Sequence, residues 1–397
     1  MKASETRILT THVGSLPRGE ALAQLLIARD HGEKVDPHAF DRALDVALDT
    51  IVDKQIASGV DVVSDGELPR IGFSIYAKDR MSGFGGESKR NRSIDLKNFP
   101  KYAEMLARRT FDPKKQKLPK VWNAPQALGA VHYDDTLAHV RAELDHFEAA
   151  LKRTKSARPA ETFVTAASPG IVSTTMLRAA DNPAYRSERD YVMALGREMK
   201  KEYDHIVARG HVLQLDAPDL AMDKQAYFQD RPIAEFFARV ELHIEALNLA
   251  LADIPPEKVR LHVCFGNWDG PHTEDVELEP LLPLLYQAKV GALSLACGNP
   301  RHQHDWKALR KNPPPAPMVL IPGVIDVTTN YVEHPEVVAD RICQFAEAMD
   351  DPRRVIASTD CGFGTFAAYS FVAEDVVWAK LATLAEGARR ATKRLFA

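Results

Sequence analysis

The chain has 397 residues, 45% hydrophobic and 27% charged, which is ample for a large buried core. A net charge of -4 leaves no basic surplus for nucleic acid, and no run of about 18 apolar residues offers a membrane span. Four cysteines are too few for a disulfide scaffold and MKASETRILTTHVGSLPR has no apolar signal stretch, so a cytoplasmic protein with reduced thiols is expected.

Short apolar runs alternate with amphipathic helical stretches. Strands are expected at Arg7–Val13, Val60–Ser64, Phe163–Ala167, Val212–Leu215, Val259–Val263, Ala292–Leu295, Met318–Gly323 and Arg354–Ala357. Helical periods fall at Ala43–Ser58, Tyr191–Arg209, Ile233–Ala252 and His334–Asp350; the first two stop at Gly59 and Gly210. This alternation argues for a parallel sheet, and eight strand–helix pairs argue for one (β/α)8 TIM barrel domain over residues 1–397, with an open doubly wound sheet as the alternative. A long insertion, about residues 68–162, separates the second and third strands. It holds a basic polar stretch (Ser88–Lys120), a segment expected to form a short hairpin (Val121–Asp135, VWNAPQALGAVHYDD) and a helical run at Leu137–Arg153. A connection this long is read either as a lid or substrate-binding extension over the barrel mouth, or as a surface elaboration or dimer contact. A homodimer is accordingly one expectation. Lys311–Pro317 is a stiff proline-rich connector.

The active site of such a barrel lies at the C-terminal ends of its strands. Almost every expected strand ends in polar or reactive residues: His12, Ser15 and Arg18 after the first, Asp65 and Glu67 after the second, Ser168 after the third, and Asp216 at the fourth. His262 and Cys264 end the fifth, Cys297 follows the sixth, Asp326 the seventh, and Asp360 and Cys361 the eighth. His262 and Cys264 are two apart on a strand, so they share one face and can chelate. Barrel closure would bring Cys361 to them, giving the imidazole and two thiolates of a Cys2His zinc site with an open position. Cys297 is a candidate fourth ligand. Zinc holds a bound thiol as thiolate, which points to a small-molecule thiol and an alkyl donor as substrates. Asp65, Glu67 and Asp216 are candidate catalytic carboxylates that could orient an amine or exchange a proton. Ser15, Arg18, Ser168, Asp216 and Asp326 are candidate substrate-binding residues, Arg18 through its fork of donors for an anion. Cys343 is read as a small apolar residue of an amphipathic helix. His302 and His304 are read as solvent-facing or hydrogen-bonded loop histidines.

The segments HVGSLPR, GVDVVSDGELPR, VLQLDAPDL, LHVCFGN, GVIDVTTNYVEHPE and STDCGFGT span nearly the whole chain. In that order they resemble the catalytic half of cobalamin-independent methionine synthase, in the superfamily shared with uroporphyrinogen decarboxylase. The resemblance implies a (β/α)8 barrel and a zinc site of His, Cys, Glu and a distant Cys, of which His262, Cys264 and Cys361 match three. It also implies Asp216 near the amine of an amino-acid substrate. Three positions depart: Ala296 stands where the Glu ligand is expected, Thr328 at or near the catalytic His, and Ala217 at the Glu of QIDEP. These losses argue against methionine synthesis itself, which stays as an alternative along with a metal-free lyase or decarboxylase. NYVEHPE and NPRHQHDW are more similar to the branch containing epoxyalkane:coenzyme M transferase, a zinc-dependent thiol alkylator. The reading is thus a zinc-dependent transferase that activates a thiol for alkylation.

Overall fold

A computed structural model describes residues 1–91, 93–110 and 123–397. The chain opens with β1 (Leu9–Thr10), α1 (Glu20–Asp30) and α2 (Pro37–Ala57), then β2 (Val62–Val63). The insertion follows with β3 (Met81–Gly85), α3 (Asp95–Asn98), α4 (Pro100–Thr110), β4 (Gln126–Tyr133) and α5 (Ala138–Arg153). Next come β5 (Glu161–Ala167), α6 (Pro169–Thr175), α7 (Glu188–Ala208), β6 (Val212–Asp216), α8 (Asp219–Tyr227) and α9 (Ile233–Ala250). The chain continues through β7 (Val259–Val263), α10 (Leu278–Leu285), β8 (Ala292–Leu295), α11 (Trp306–Lys311), β9 (Val319–Ile325), α12 (Pro335–Met349), β10 (Ile356–Thr359) and α13 (Glu374–Leu395).

Local chemistry sets these boundaries. Asp36 caps α2 by accepting from the His38 amide at 3.1 Å, with Pro37 in the first turn. Ser187 and Asp190 form a reciprocal capping box on α7. The last barrel strand starts at Ile356, two residues later than expected, because Asp351 caps a 3-10 turn over Pro352–Arg354.

Eight parallel strands run in the order β1-β10-β9-β8-β7-β6-β5-β2, which is a (β/α)8 barrel. The seam between β1 and β2 has no ladder and is closed around Asp61. Its amide donates to the Thr10 carbonyl at 3.1 Å, and its carboxylate accepts from the Thr10 amide at 2.9 Å and from Arg7 at 2.6 Å. Among the described residues no helix is long and apolar enough to cross a membrane.

Alternation along the strands separates two cores. Leu9, Ala292, Val319, Ile321 and Ile356, together with Val62, Phe163 and Val212, fill the floor of the barrel. The opposite strand faces pack against the helices in the main core. Above the apolar floor the inward positions turn polar. Arg260 donates to Gln214 Oε1 at 2.7 Å, to Thr11 Oγ1 at 3.1 Å and to the His12 carbonyl at 2.8 Å, and stacks 3.5 Å over Phe163.

The insertion departs from expectation at its hairpin. Gln126–Tyr133 is one continuous strand, and its antiparallel partner is Met81–Gly85, 41 to 52 residues earlier in the chain rather than within the same segment. Residue 92 and residues 111–120 of the basic stretch, and residues 121–122 of the expected hairpin, lie outside the described residues. Leu137–Arg153 is helical as expected, with α5 starting at Ala138.

Candidate metal centre

The register places the candidate ligands. Asp216 pairs with His262, and His262 with Ser294, across β6, β7 and β8. Two residues on, Cys264 and Ala296 continue the same inward rows. Cys361 comes from the end of β10, three strands from β7 in the sheet order. On a flat sheet those strands would stand about 14 Å apart. Barrel curvature instead brings one donor atom each of His262, Cys264 and Cys361 within 4.8 Å of one another.

A metal ion fits this cluster. His262 is 2% exposed, yet neither ring nitrogen has a hydrogen-bond partner. A buried imidazole with both nitrogens unsatisfied is costly unless something else engages one of them. One nitrogen and two sulfurs are the donors of a Cys2His zinc site. The Cys264 thiol is held well below its usual value by the hydrogen bond from Cys361 and by His262, which outweigh burial, and Cys361 is raised in turn.

Cys297 belongs elsewhere. With Leu293 and Leu295 it points out of the barrel into the main core, where burial raises its thiol well above the usual value. Ala296 holds the inward position, 5% exposed, beside the cluster's row. Gly362 packs closely on Ser15, since a Cβ there would lie 1.9 Å from Ser15 Oγ and 3.0 Å from its amide nitrogen. Ser15 therefore lies against the Cys361 loop, and its carbonyl accepts from the Phe363 amide at 2.8 Å.

Two buried carboxylates face the same interior. Asp216 Oδ1 accepts from Gln214 Nε2 at 2.7 Å, and Gln214 is in turn held by Arg260. Burial pushes Asp216 up to about 6. Glu67 goes further, to about 8, through burial and then the charge of Asp216. Glu67 adopts a φ of 56° and leaves Oε2 buried without a partner. Asp65 supports that turn by accepting from the Glu67 amide at 3.0 Å.

Other expected substrate contacts are occupied within the protein. Arg18, expected to receive an anion, is 5% exposed and donates to the carbonyls of Arg70 at 2.9 Å, Glu67 at 3.1 Å and Gly364. It is a strap between three loops of the barrel mouth. Ser168 caps α6 at the Ile171 amide and donates to Asp219 Oδ1 at 2.9 Å. Asp326 accepts from the amide and hydroxyl of Thr328 and the hydroxyl of Thr329.

Two features escaped the sequence reading. Arg260 was legible in principle, being two residues before His262 on the same strand face. Asn267 was not: its Nδ2 donates to the Gly362 carbonyl at 2.8 Å and to Thr365 Oγ1 at 2.6 Å, tying the Cys264 loop to the Cys361 loop. That contact exists only once the barrel has closed.

No protein-family model matches the chain. It is 24% identical to 2-hydroxypropyl-CoM lyase of Xanthobacter autotrophicus, covering 98% of this chain and 96% of that protein. It is 24% identical to methionine synthase of Sulfurisphaera tokodaii (89% and 85% covered) and 25% identical to that of Sulfolobus acidocaldarius (90% and 86% covered). A B12-independent methionine synthase from Shewanella sp. W3-18-1, solved with selenomethionine, shares the fold with a TM-score of 0.66 at 18% identity, covering 98% and 99% of the two chains. The relatives of this chain are thus proteins named methionine synthase and 2-hydroxypropyl-CoM lyase, which are the family and the branch that its motifs resemble.

Proposed function

We propose that the protein is a zinc-dependent transferase that alkylates a small-molecule thiol. The convergence of His262, Cys264 and Cys361, with both His262 nitrogens unpartnered, carries this reading. The relatives support it, since methionine synthase and 2-hydroxypropyl-CoM lyase both bear names of thiol chemistry. Zinc held by these three residues supplies a Lewis acid that lowers the pKa of an added thiol.

The chain's own groups constrain the thiol. Asp216 offers a buried carboxylate oxygen, whereas Arg18, Arg70 and Arg260 are engaged by carbonyls, Glu143, Thr165, Gln214 and Thr11. A thiol bearing an ammonium group suits this interior better than an anionic one. In the transfer, a sulfur–carbon bond forms as the carbon's bond to its leaving group, or to an epoxide oxygen, breaks. The leaving atom then takes a proton. Glu67, raised to about 8, holds a proton at neutral pH that it can exchange there.

The test is metal content of protein purified without added metal, for wild type, Cys264→Ser and Cys361→Ser. One zinc per chain, lost in both variants, is the expected result. It would be followed by thiol alkylation assays with methyl donors and epoxides, comparing amino thiols with sulfonated ones. A wild type that takes up no zinc on reconstitution defeats the reading in favour of a metal-free lyase.

A further inference from the structure

Four ionisable side chains stand beside the metal centre and take no part in the chemistry above. His302, in the loop after β8, is 5% exposed. Its Nδ1 lies 3.1 Å from Asp305 Oδ2 and its Nε2 lies 2.9 Å from Asp275 Oδ2. His272, in the loop after β7, sets Nδ1 2.8 Å from the same Asp275 oxygen and Nε2 3.1 Å from the Trp268 carbonyl. All four contacts are to acceptors. A neutral imidazole has one N–H and one lone pair, so each ring satisfies both of its contacts only when protonated.

The cluster reaches the metal centre through Phe265, the residue after Cys264. The His302 ring stacks on it with centroids 3.6 Å and planes 6° apart. His272 grips the same loop at Trp268, three residues further on. We propose that His302 and His272 are positioning residues: as imidazoliums on Asp275 and Asp305 they clamp the loop that carries Cys264 and so hold the metal centre in place. The consequence for the metal rests on reading His262, Cys264 and Cys361 as its ligands.

The surrounding charges agree. Burial opposes a charge on His302, but hydrogen bonds to Asp275 and Asp305 outweigh it and push the imidazole up to about 9. Asp275 raises His272 against burial in the same way, and both histidines hold Asp275 low. From the β8 loop, His304 stands 3.5 Å from Asp305 and 4.0 Å from Glu277, and Arg301 donates to the Thr273 carbonyl at 3.2 Å. From the β7 loop, Glu274 is 3.9 Å from Lys224, and Cys297 at the end of β8 feels the charge of Asp305. A group raised on folding stabilises fully below its unfolded pKa, and this stabilisation is lost as pH rises through the folded value.

The test is the rate at which the zinc-loaded protein yields its metal to a chromophoric chelator, from about pH 7 to about pH 10. Thiolate and imidazole sites ordinarily hold metal more tightly as pH rises, because protons stop competing for the ligands. The clamp predicts the opposite sign: release accelerates with a midpoint near 9. His302→Gln, which cannot be charged, should release zinc roughly tenfold faster at neutral pH and show a smaller rise, the one left by His272 on Asp275. Asp305→Asn, a milder change, should move the rise to lower pH. Wild-type release that stays flat or slows, or a His302→Gln variant that matches wild type, overturns the proposal. Thermal unfolding of the metal-free protein decides independently of zinc: the stability difference between wild type and His302→Gln should vanish above about pH 9. A difference unchanged by pH overturns the clamp, whereas absence of zinc binding defeats only the metal reading.

Discussion

At the scale of single residues, Ala296 distinguishes this site from the four-ligand pattern its motifs resemble. Were zinc held there, two thiolates and a neutral imidazole would leave the complex without net charge before a substrate arrives. An anionic side chain at the inward position 296 would donate further electron density and make a bound thiol more basic. Ala296→Glu should therefore tighten zinc binding and raise the pKa of a zinc-bound thiol by roughly one unit, about 1.4 kcal/mol. Titrating the thiolate absorbance of a bound thiol in both proteins measures this, and equal values refute it. The variant should also be less stable without metal, because position 296 is 5% exposed and the new carboxylate joins an interior that already holds Asp216 and Glu67. His262 and Cys264 were legible from the sequence because a two-residue spacing on a strand fixes a shared face without any tertiary knowledge. Arg18 was misread for the converse reason. Its charge and its place after a strand were visible, but not the three carbonyls that converge on it from distant loops.

At the scale of elements, the insertion is fastened to the barrel by a buried ionic network. Glu143 on α5 pairs with Arg70, at 3.0 Å, and with Arg80, which precedes β3. Arg80 also pairs with Glu202 on α7 at 2.9 Å, and Tyr76 lies between the two guanidiniums, 4.4 Å from Arg70 and 4.3 Å from Arg80. Burial alone would raise Glu143, but the two arginines outweigh it and hold the carboxyl at about 2. Its stabilisation is therefore present above the unfolded value of about 4.3 and is lost as pH falls through the folded one. Glu143→Gln should cost about 3 kcal/mol at neutral pH, since it leaves buried guanidiniums short of a counter-charge. Urea unfolding at neutral and strongly acid pH should show this cost shrinking with acidification, and a cost independent of pH contradicts the network. The network also explains what the sequence could not show about the insertion. Strand character in Gln126–Tyr133 was readable from its composition, but not its pairing with Met81–Gly85, beside which Arg80 and Tyr133 both reach Glu202. Tyr133 donates to Glu202 at 2.5 Å, far from its own sequence neighbourhood. Helices such as α7 were readable to within three residues because periodicity, a capping box and a terminal glycine are all local.

At the scale of the whole molecule, the candidate metal centre depends on closure of the barrel, because Cys361 and Cys264 meet only through curvature summed over three strand spacings. Closure in turn rests on a seam with few direct links. The first and second strands were each expected to run five residues or more, yet the paired segments are Leu9–Thr10 and Val62–Val63. Asp61 stands in for the missing ladder: its backbone and carboxylate together engage Thr10, its side chain holds Arg7, and its carbonyl accepts from the Ala160 amide at 2.8 Å beside β5. Thr11 adds a hydroxyl bond to the Val62 carbonyl at 3.0 Å. Asp61→Ala removes the charged acceptor of four hydrogen bonds, two from Arg7 and two from Thr10, and should lower stability by about 2 kcal/mol. The effect should reach the far end of the barrel. If the seam maintains curvature, the variant should bind zinc more weakly although Asp61 lies at the N-terminal end of its strand, away from His262, Cys264 and Cys361. Asp61→Asn, which keeps an acceptor oxygen, should recover part of both losses. Chelator competition and urea unfolding on the same three proteins separate the cases: parallel losses tie the metal centre to closure, whereas a stability loss with unchanged zinc affinity means the β7 and β10 loops hold the ligands without help from the seam.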